Sequence, residues 1–467
     1  MKRLFVTLGI LVAVTLSALA QPKYVFYFIG DGMGTSQILL TEMYRAAVKG
    51  EMGLEPLLMS QFPVTTIASH YSASSDVTDS AASATALSSG VKTTNYYVGL
   101  TPEGEPVTTM AELAKRQGKK VAIMTTVPLN HATPAGFSAH QLHRGMYYKI
   151  SQDQIAEGFD FYAGGSIAQE DELEDGTKVA PIRPQYEQAG YTIFGNMDDF
   201  QAGYKAADKV LIVPEKGKSV SFRLDTYAHP QDHIYLKEMV QAGIDFLMKD
   251  GGKKGFFMMA EGGKIDGACH SHDAASSVHE TIDFDEAIAV AYEFYKKHPK
   301  QTLIVITADH ETGGMICQPK TPKELARLSI QKSSLGVISE NLKRTLREKY
   351  SQKPMPWEEV QQFLSDNFGL FSEIKLGWED EKILKDCYYA TLAKKQTGSA
   401  KDLYADNAKI VAEAAKIYHR KCGINWVGSH SSSFVPVFAV GVGAEEFTHK
   451  TDNAEVARTI MRIAKYK

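Results

Sequence analysis

The chain has 467 residues, 44% of them hydrophobic and 23% charged, with a formal net charge of −4. That length allows one elaborated domain or two smaller ones around a large core. The near balance of charge leaves no basic excess to hold a nucleic-acid backbone, so an anionic substrate has to be drawn in by local charge.

Residues 1–20 read as a secretory leader. Lys2 and Arg3 form a charged start, residues 4–16 are almost wholly apolar, and Ala18-Leu19-Ala20 is a small-x-small cleavage pattern that leaves Gln21 first. The apolar run is short for a membrane span, and no cysteine follows it to carry a lipid. The expectation is an exported protein, periplasmic or extracellular, with no membrane anchor after cleavage. Without the leader, 49 basic residues stand against 55 acidic ones, which gives −6.

Residues 21–467 read as one domain. Apolar runs at 24–29, 121–126, 256–260, 302–307 and 434–442 have the look of buried parallel strands. Helical patterns lie between them at 35–49, 80–89, 108–117, 233–249, 272–297 and 453–465. The alternation predicts an α/β fold with a central, mostly parallel sheet covered by helices on both faces. Two segments fit less well: the polar stretch at about 151–230, with weak strand signals at 191–194 and 210–213, and the charged, helical stretch at about 318–425. Both read as insertions that shape the mouth of a site. The four cysteines (Cys269, Cys317, Cys387 and Cys422) allow three pairings in an exported chain, with Cys387–Cys422 weakly favoured because they flank one helical region. Cys269 reads as a small buried residue rather than a ligand.

The candidate ligands share a placement. Asp31, Glu261, Asp266, Asp309 and His310 all come just after an expected strand. In an open α/β sheet, the crevice beyond the carboxyl ends of the strands is where ligands bind. Acidic residues scattered over much of the chain would therefore converge.

Asp79 is a good N-cap for the helix pattern 80–89, which stops at Gly90. Ser80 then sits in the first turn, where free N–H groups and the helix dipole favour an anion. No Gly-x-Ser-x-Gly elbow surrounds it, so a metal ion is the natural activator of its hydroxyl. Read alone, both residues are better explained as helix caps.

Asp266 and His270, four apart on a helical turn, face one side and suit one ion; His272 falls off that face and is left out. Asp309 and His310 form a second carboxylate–imidazole pair, and His430, in a Gly/Ser loop, completes the nitrogen count. Mixed histidine and carboxylate ligation suits zinc, whereas the oxygens of Asp31, Thr133 and Glu261 suit magnesium. The Arg144 guanidinium matches two phosphate oxygens, with a solvated surface arginine as the plain alternative.

Five stretches carry a resemblance: Ile29-Gly30-Asp31-Gly32-Met33-Gly34, the run Val77 to Thr85, Ala132-Thr133-Pro134, the run Glu261 to Asp266, and Thr307-Ala308-Asp309-His310-Glu311-Thr312. In this order they resemble the alkaline phosphatase family, over about 24–317 and 425–445 and most weakly in 318–425. The resemblance implies one alkaline phosphatase-like catalytic domain that hydrolyses phosphate monoesters at alkaline pH through a phosphoserine on Ser80. It implies two zinc ions and one magnesium. Asp266, His270 and His430 would hold the first zinc, and Asp31, Asp309 and His310 the second. Asp31 would bridge to magnesium with Thr133 and Glu261, and Arg144 would grip the phosphoryl oxygens. Family members are often homodimers, although no residue here marks an interface.

Two departures stand out. His131 lies two before Thr133, where some members carry aspartate, close enough to alter the third site. Gly267 follows Asp266, where some carry lysine, which leaves Arg144 more of the phosphate binding. The competing readings are a related metal-dependent phosphodiesterase or sulfatase, and an exported protein that captures phosphate or metal without turnover. Arg144 favours monoesters, because it needs two unsubstituted oxygens, and no Cys/Ser-x-Pro-x-Arg stretch is present.

Overall fold

A computed structural model describes residues 21–227, 233–393 and 400–467, with the backbone path alone for 400–407; the leader at 1–20 lies outside the described residues. Ten strands form the main sheet: β1 (Tyr24–Gly30), β2 (Val64–Ser69), β3 (Lys120–Thr125), β4 (Phe161–Ala163), β5 (Tyr191–Phe194), β6 (Lys209–Ile212), β7 (Phe256–Glu261) and β8 (Thr302–Ala308), then β13 (Val435–Gly441) and β14 (Thr451–Asp452). Among the described residues, four two-residue strands lie between β8 and β13: β9 (Glu311–Thr312), β10 (Ile316–Cys317), β11 (Ile424–Asn425) and β12 (His430–Ser431). The order across the main sheet is β14-β2-β13-β8-β1-β7-β3-β4-β6-β5.

From β8 to β5 every neighbouring pair is parallel, as the apolar runs predict. The run at 434–442 is the exception: β13 is antiparallel to both β8 and β2. An apolar run reports burial on both faces, not direction. The strand β2 is new relative to the sequence reading. Its Val-Thr-Thr-Ile-Ala-Ser run is mostly half-exposed and lacks a continuous apolar core. The weak signals near 191 and 210 become β5 and β6, which join β4 in extending one edge of the main sheet.

Both faces of the sheet are covered, and β1 shows why. All seven of its residues are buried. Phe26 and Phe28 point to one side and meet Phe294 and Phe284 of helix Ala274–Lys297, at ring separations of 5.5 and 6.0 Å. Tyr27 points to the other side and meets Phe137 at 6.0 Å. Alternation with period two thus feeds two cores. Helices Leu236–Leu247 and Ala274–Lys297 pack on the first face, and Met110–Arg116, Ala132–Ala135 and Asn453–Ala464 on the second. Each fully buried aromatic contributes about 1.5–3 kcal/mol of transfer free energy.

Residues 318–425 build a second apolar core of their own. Leu342, Leu346, Leu364, Phe368, Leu384, Val411 and Tyr418 pack together, and Leu40, Ala275, Val278 and Met315 tie this core to the sheet. Cys422 lies inside it as a free thiol, so the favoured Cys387–Cys422 bridge is not formed. Burial pushes the Cys269, Cys317 and Cys422 thiols up to about 12, which suits small apolar packing. Cys269 is fully buried, as expected of a packing residue.

Candidate active site

The register of the central strands assembles the acidic residues. Gly30 of β1 pairs with Ala308 of β8, which sets Asp31 beside Asp309 one residue beyond. Ile29 of β1 pairs with Glu261, the last residue of β7, and Thr125 of β3 pairs with the same Glu261. Three carboxylates therefore leave the carboxyl ends of three adjacent parallel strands. The chain then turns sharply at Gly32, whose φ of +72° is a glycine conformation. A Cβ there would lie 2.9 Å from the Asp266 Cα, so close packing as well as conformation requires glycine.

Asp31, Glu261 and Asp309 are fully buried. One oxygen of Asp309, Oδ1, accepts the backbone N–H groups of Gly32 (3.1 Å) and His310 (2.9 Å). Its Oδ2, both oxygens of Asp31, both of Glu261 and Oγ1 of Thr133 have no hydrogen-bond partner among the described residues. Burial, reinforced by neighbouring carboxylates, raises Asp31 well above the carboxylate range, and burial with the charge of Asp309 pushes Glu261 up to about 8. Unpaired buried carboxylates are costly, and multivalent cations are the usual remedy.

The ligand atoms fall into overlapping sets, each within 4.8 Å: Asp31 with Asp309 and His310; Asp266 with His310 and His430; and Asp31 with His131 and Glu261. Helix Lys264–His270 carries Asp266 and His270 on one face, and His270 Nε2 lies 3.4 Å from Asp266 Oδ1 and 3.1 Å from His430 Nε2. Two imidazole nitrogens that close share either a proton or a cation. The His430 Nδ1–H donates to the Thr78 carbonyl at 3.0 Å, which leaves Nε2 with its lone pair facing Asp266. The His310 and His430 rings stack at 3.7 Å, and burial together with His430 holds His310 well below its ordinary range, in the neutral form a ligand needs. The set around Asp266 and His430 takes in His310, where the sequence reading places His270, and the set around Asp31 and Glu261 takes in His131.

The serine lies at this cluster. Helix Ser80–Ser89 starts at Asp79, whose Oδ1 accepts Ala82 N–H, and stops at Gly90 in the left-handed region. Ser80 Oγ is 3.1 Å from His310 Nε2, the atom that also lies 3.5 Å from Asp31 Oδ1 and 3.3 Å from Asp309 Oδ2. Arg144 reaches in from the loop after Ser138. Its Nη1 donates to Asp79 Oδ2 and its Nη2 to His131 Nε2, each at 3.0 Å. The Arg144 N–H donates to the Tyr96 carbonyl, and Tyr96 N–H donates to Asp79 Oδ1.

Some supports were missed in the sequence. Thr312 Oγ1 donates to Asp266 Oδ1 at 2.6 Å and lies 3.2 Å from His310 Nδ1. Its place in the 307–312 motif was the available signal. Ser83 Oγ donates to the Asp309 carbonyl (2.7 Å) and accepts from Asn453 (2.8 Å), so the last helix steadies the serine helix. Nothing in a sequence pairs residues 370 apart.

A family model described as "Alkaline phosphatase" matches residues 22–174 and 161–466. Among curated relatives, alkaline phosphatase 4 of Bacillus subtilis (strain 168) is 30% identical over 464 residues, covering 96% of this chain and 89% of its own. Alkaline phosphatase 3 of the same organism is 28% identical over 454 residues, covering 95% and 89%. Among solved structures, the cold-active alkaline phosphatase of the psychrophile Shewanella sp. superposes with a TM-score of 0.76 at 24% identity, covering 94% of this chain and 99% of that one. The alkaline phosphatase of the Antarctic bacterium TAB5 gives 0.66 at 25% identity, covering 96% and 99%.

Proposed function

The chain belongs to the alkaline phosphatase family and is a phosphomonoester hydrolase, and from that premise we propose that it works through a phosphoserine on Ser80, beside two zinc ions and one magnesium. The observation that carries this reading is the 3.1 Å approach of Ser80 Oγ to His310 Nε2, among buried carboxylate oxygens that have no other partner.

Asp266, His270 and His430 would hold one zinc, and Asp31, Asp309 and His310 the zinc nearest Ser80. Asp31, Thr133 and Glu261 would hold magnesium, with His131 alongside. When bound, such cations supply Lewis acidity that ionises hydroxyls near neutral pH and offsets the charge of phosphoryl oxygens. The chain's own residues supply the rest. Arg144, braced by Asp79 and His131, presents its guanidinium to two non-bridging oxygens of a monoester. Ser80, its proton lost to solvent, attacks phosphorus; the bond to the leaving alkoxide breaks, and the alkoxide takes a proton from water. Water then attacks the phosphoserine from the opposite side, the P–Oγ bond breaks, and Ser80 regains a proton. Two in-line displacements retain configuration at phosphorus.

The chain's remaining expectations follow from the same reading. Residues 1–20 are a leader removed on export, 21–467 work as one catalytic domain, and a homodimer fits the family. Among the described residues no helix is long and apolar enough to cross a membrane. The test is acid quenching during turnover of a monoester, followed by peptide mass analysis. Phosphate on Ser80 is the expected result; a turning-over enzyme that never labels Ser80, or one faster on a diester or a sulfate ester, would replace this reading.

A further inference from the structure

His272 lies outside the ligand sets, two residues beyond His270, yet its side chain joins the two segments carrying His270 and His430, beside the His270–His430 approach and the 3.4 Å contact of Ser429 Oγ with His270 Nδ1. Its Nε2–H donates to the Gly428 carbonyl at 3.0 Å, two residues before His430. Its ring stacks on Trp426 at 5.2 Å with the planes 6° apart. Trp426 in turn lies over Gly313, where a Cβ would come within 2.5 Å of the indole. The 426–430 loop is laced to Gly313 by backbone bonds: Gly313 N–H to the Ser429 carbonyl at 2.7 Å, and Val427 and Gly428 N–H to the Gly313 carbonyl at 3.0 and 3.2 Å. Strand β12 then pairs His430 with Thr312. The loop is thus fixed to the β8–β9 side by backbone, and to the end of the His270 helix by the His272 ring.

His272 is the left-handed residue that ends helix Lys264–His270: its N–H donates to the Cys269 carbonyl at 3.0 Å and the Asp273 N–H to the Ala268 carbonyl at 2.8 Å. Its φ is +51°, a left-handed conformation that a residue with a Cβ adopts at some cost. A plain helix end does not call for a histidine there, since glycine fits better. The same residue spans the gap across which His270 Nε2 and His430 Nε2 lie 3.1 Å apart.

We propose that His272 is a positioning residue for the cation held by Asp266, His270 and His430, fixing the separation of the two imidazoles through its bond to Gly428 and its stack on Trp426. The inference rests on the metal reading above and concerns only how tightly and in what geometry that position binds.

The test uses the mature chain, stripped of metal and titrated with zinc against a chromogenic chelator, then loaded with cobalt for its visible spectrum. His272→Gly removes the ring and relieves the strain, so the metal-free chain should melt no lower than wild type. It should bind one zinc equivalent about 10- to 100-fold more weakly, the usual effect of losing a group that orients a ligand, and its cobalt spectrum should shift. His272→Asn, which tolerates the left-handed region and keeps a short donor, should fall between the two, and it serves as the readout if the glycine variant does not fold. Wild-type zinc affinity and an unchanged cobalt spectrum in these variants would overturn the inference alone. Failure of the wild-type chain to take up zinc would overturn the metal reading together with it.

Discussion

Nη2 of Arg144 donates to Nε2 of His131 at 3.0 Å, so a residue beside Asp31 and Glu261 also braces the arginine proposed to bind phosphate. A guanidinium only donates, hence His131 accepts through Nε2 and carries its proton on Nδ1. Burial and the Arg144 charge push His131 down to about 3, so the ring is neutral at any working pH. His131→Asp would exchange a neutral acceptor for a charged oxygen ligand beside Asp31 and Glu261. We predict that the variant retains more magnesium, relative to zinc, than wild type after dialysis against both ions. Elemental analysis that finds the magnesium content unchanged would sink the idea that His131 tunes the third position.

Metal removal should reshape the pH dependence of stability. In the metal-free fold, Asp31 and Glu261 sit above their ordinary range, Glu261 at about 8, so the native state binds more protons than the unfolded chain. Stability then falls as pH rises, with the loss from Glu261 setting in above its ordinary value of 4.5 and complete near 8. The expected outcome is a chelated protein whose melting temperature drops steadily from about pH 5 to 8, and a metal-loaded protein in which that drop is largely gone. A chelated protein equally stable across that window would contradict the claim that these carboxylates lack partners other than metal.

Arg144→Ala should weaken substrate and inorganic phosphate together. Two charge-assisted bonds to phosphoryl oxygens are lost, each on the order of 1.5–3 kcal/mol, and Asp79 Oδ2 loses its partner. At about 1.36 kcal/mol per tenfold, a fall of roughly 100- to 10,000-fold in kcat/KM is expected, with phosphate inhibition weakened in parallel. Arg144→Lys should recover only part, because an ammonium cannot hold Asp79, His131 and two phosphoryl oxygens in one plane. Steady-state kinetics with phosphate inhibition checks this; unchanged phosphate inhibition would remove Arg144 from the binding site.

Gly32→Ala tests whether the turn after β1 is built for the site. The alanine would be held at φ +72° with its Cβ 2.9 Å from the Asp266 Cα and from Thr312 Oγ1. The left-handed strain alone is about 1–2 kcal/mol. The clash falls on Asp266 and its Thr312 donor, so zinc content and activity should drop more than the melting temperature. Calorimetry beside elemental analysis distinguishes this from simple unfolding, in which both would fall together.

Much of the site could be read from sequence because strands and ligands are adjacent in it. Asp31, Glu261 and Asp309 each end or follow an apolar run, and parallel pairing of β8, β1 and β7 carries that adjacency into space. Asp79 and Gly90 mark the serine helix by local capping chemistry, which sequence reports faithfully. What stayed hidden depends on distant returns of the chain. The antiparallel course of β13 is set after the long helical segment, and β2 is half-exposed and rich in threonine. Asn453, which bonds Ser83, carries no local signal. Helical periodicity points His272 away from His270, while its left-handed backbone turns it toward Gly428.

Ser80 is proposed as the nucleophile of a metal-assisted phosphomonoesterase. The most direct measurement is hydrolysis of p-nitrophenyl phosphate by the mature chain at alkaline pH with zinc and magnesium, with Ser80→Ala run beside it. Strong activity in the wild type and its collapse in the variant, with bound metal unchanged, are the expected results. A wild-type chain confirmed to hold metal but inert on the monoester, or a variant as fast as wild type, would contradict this assignment.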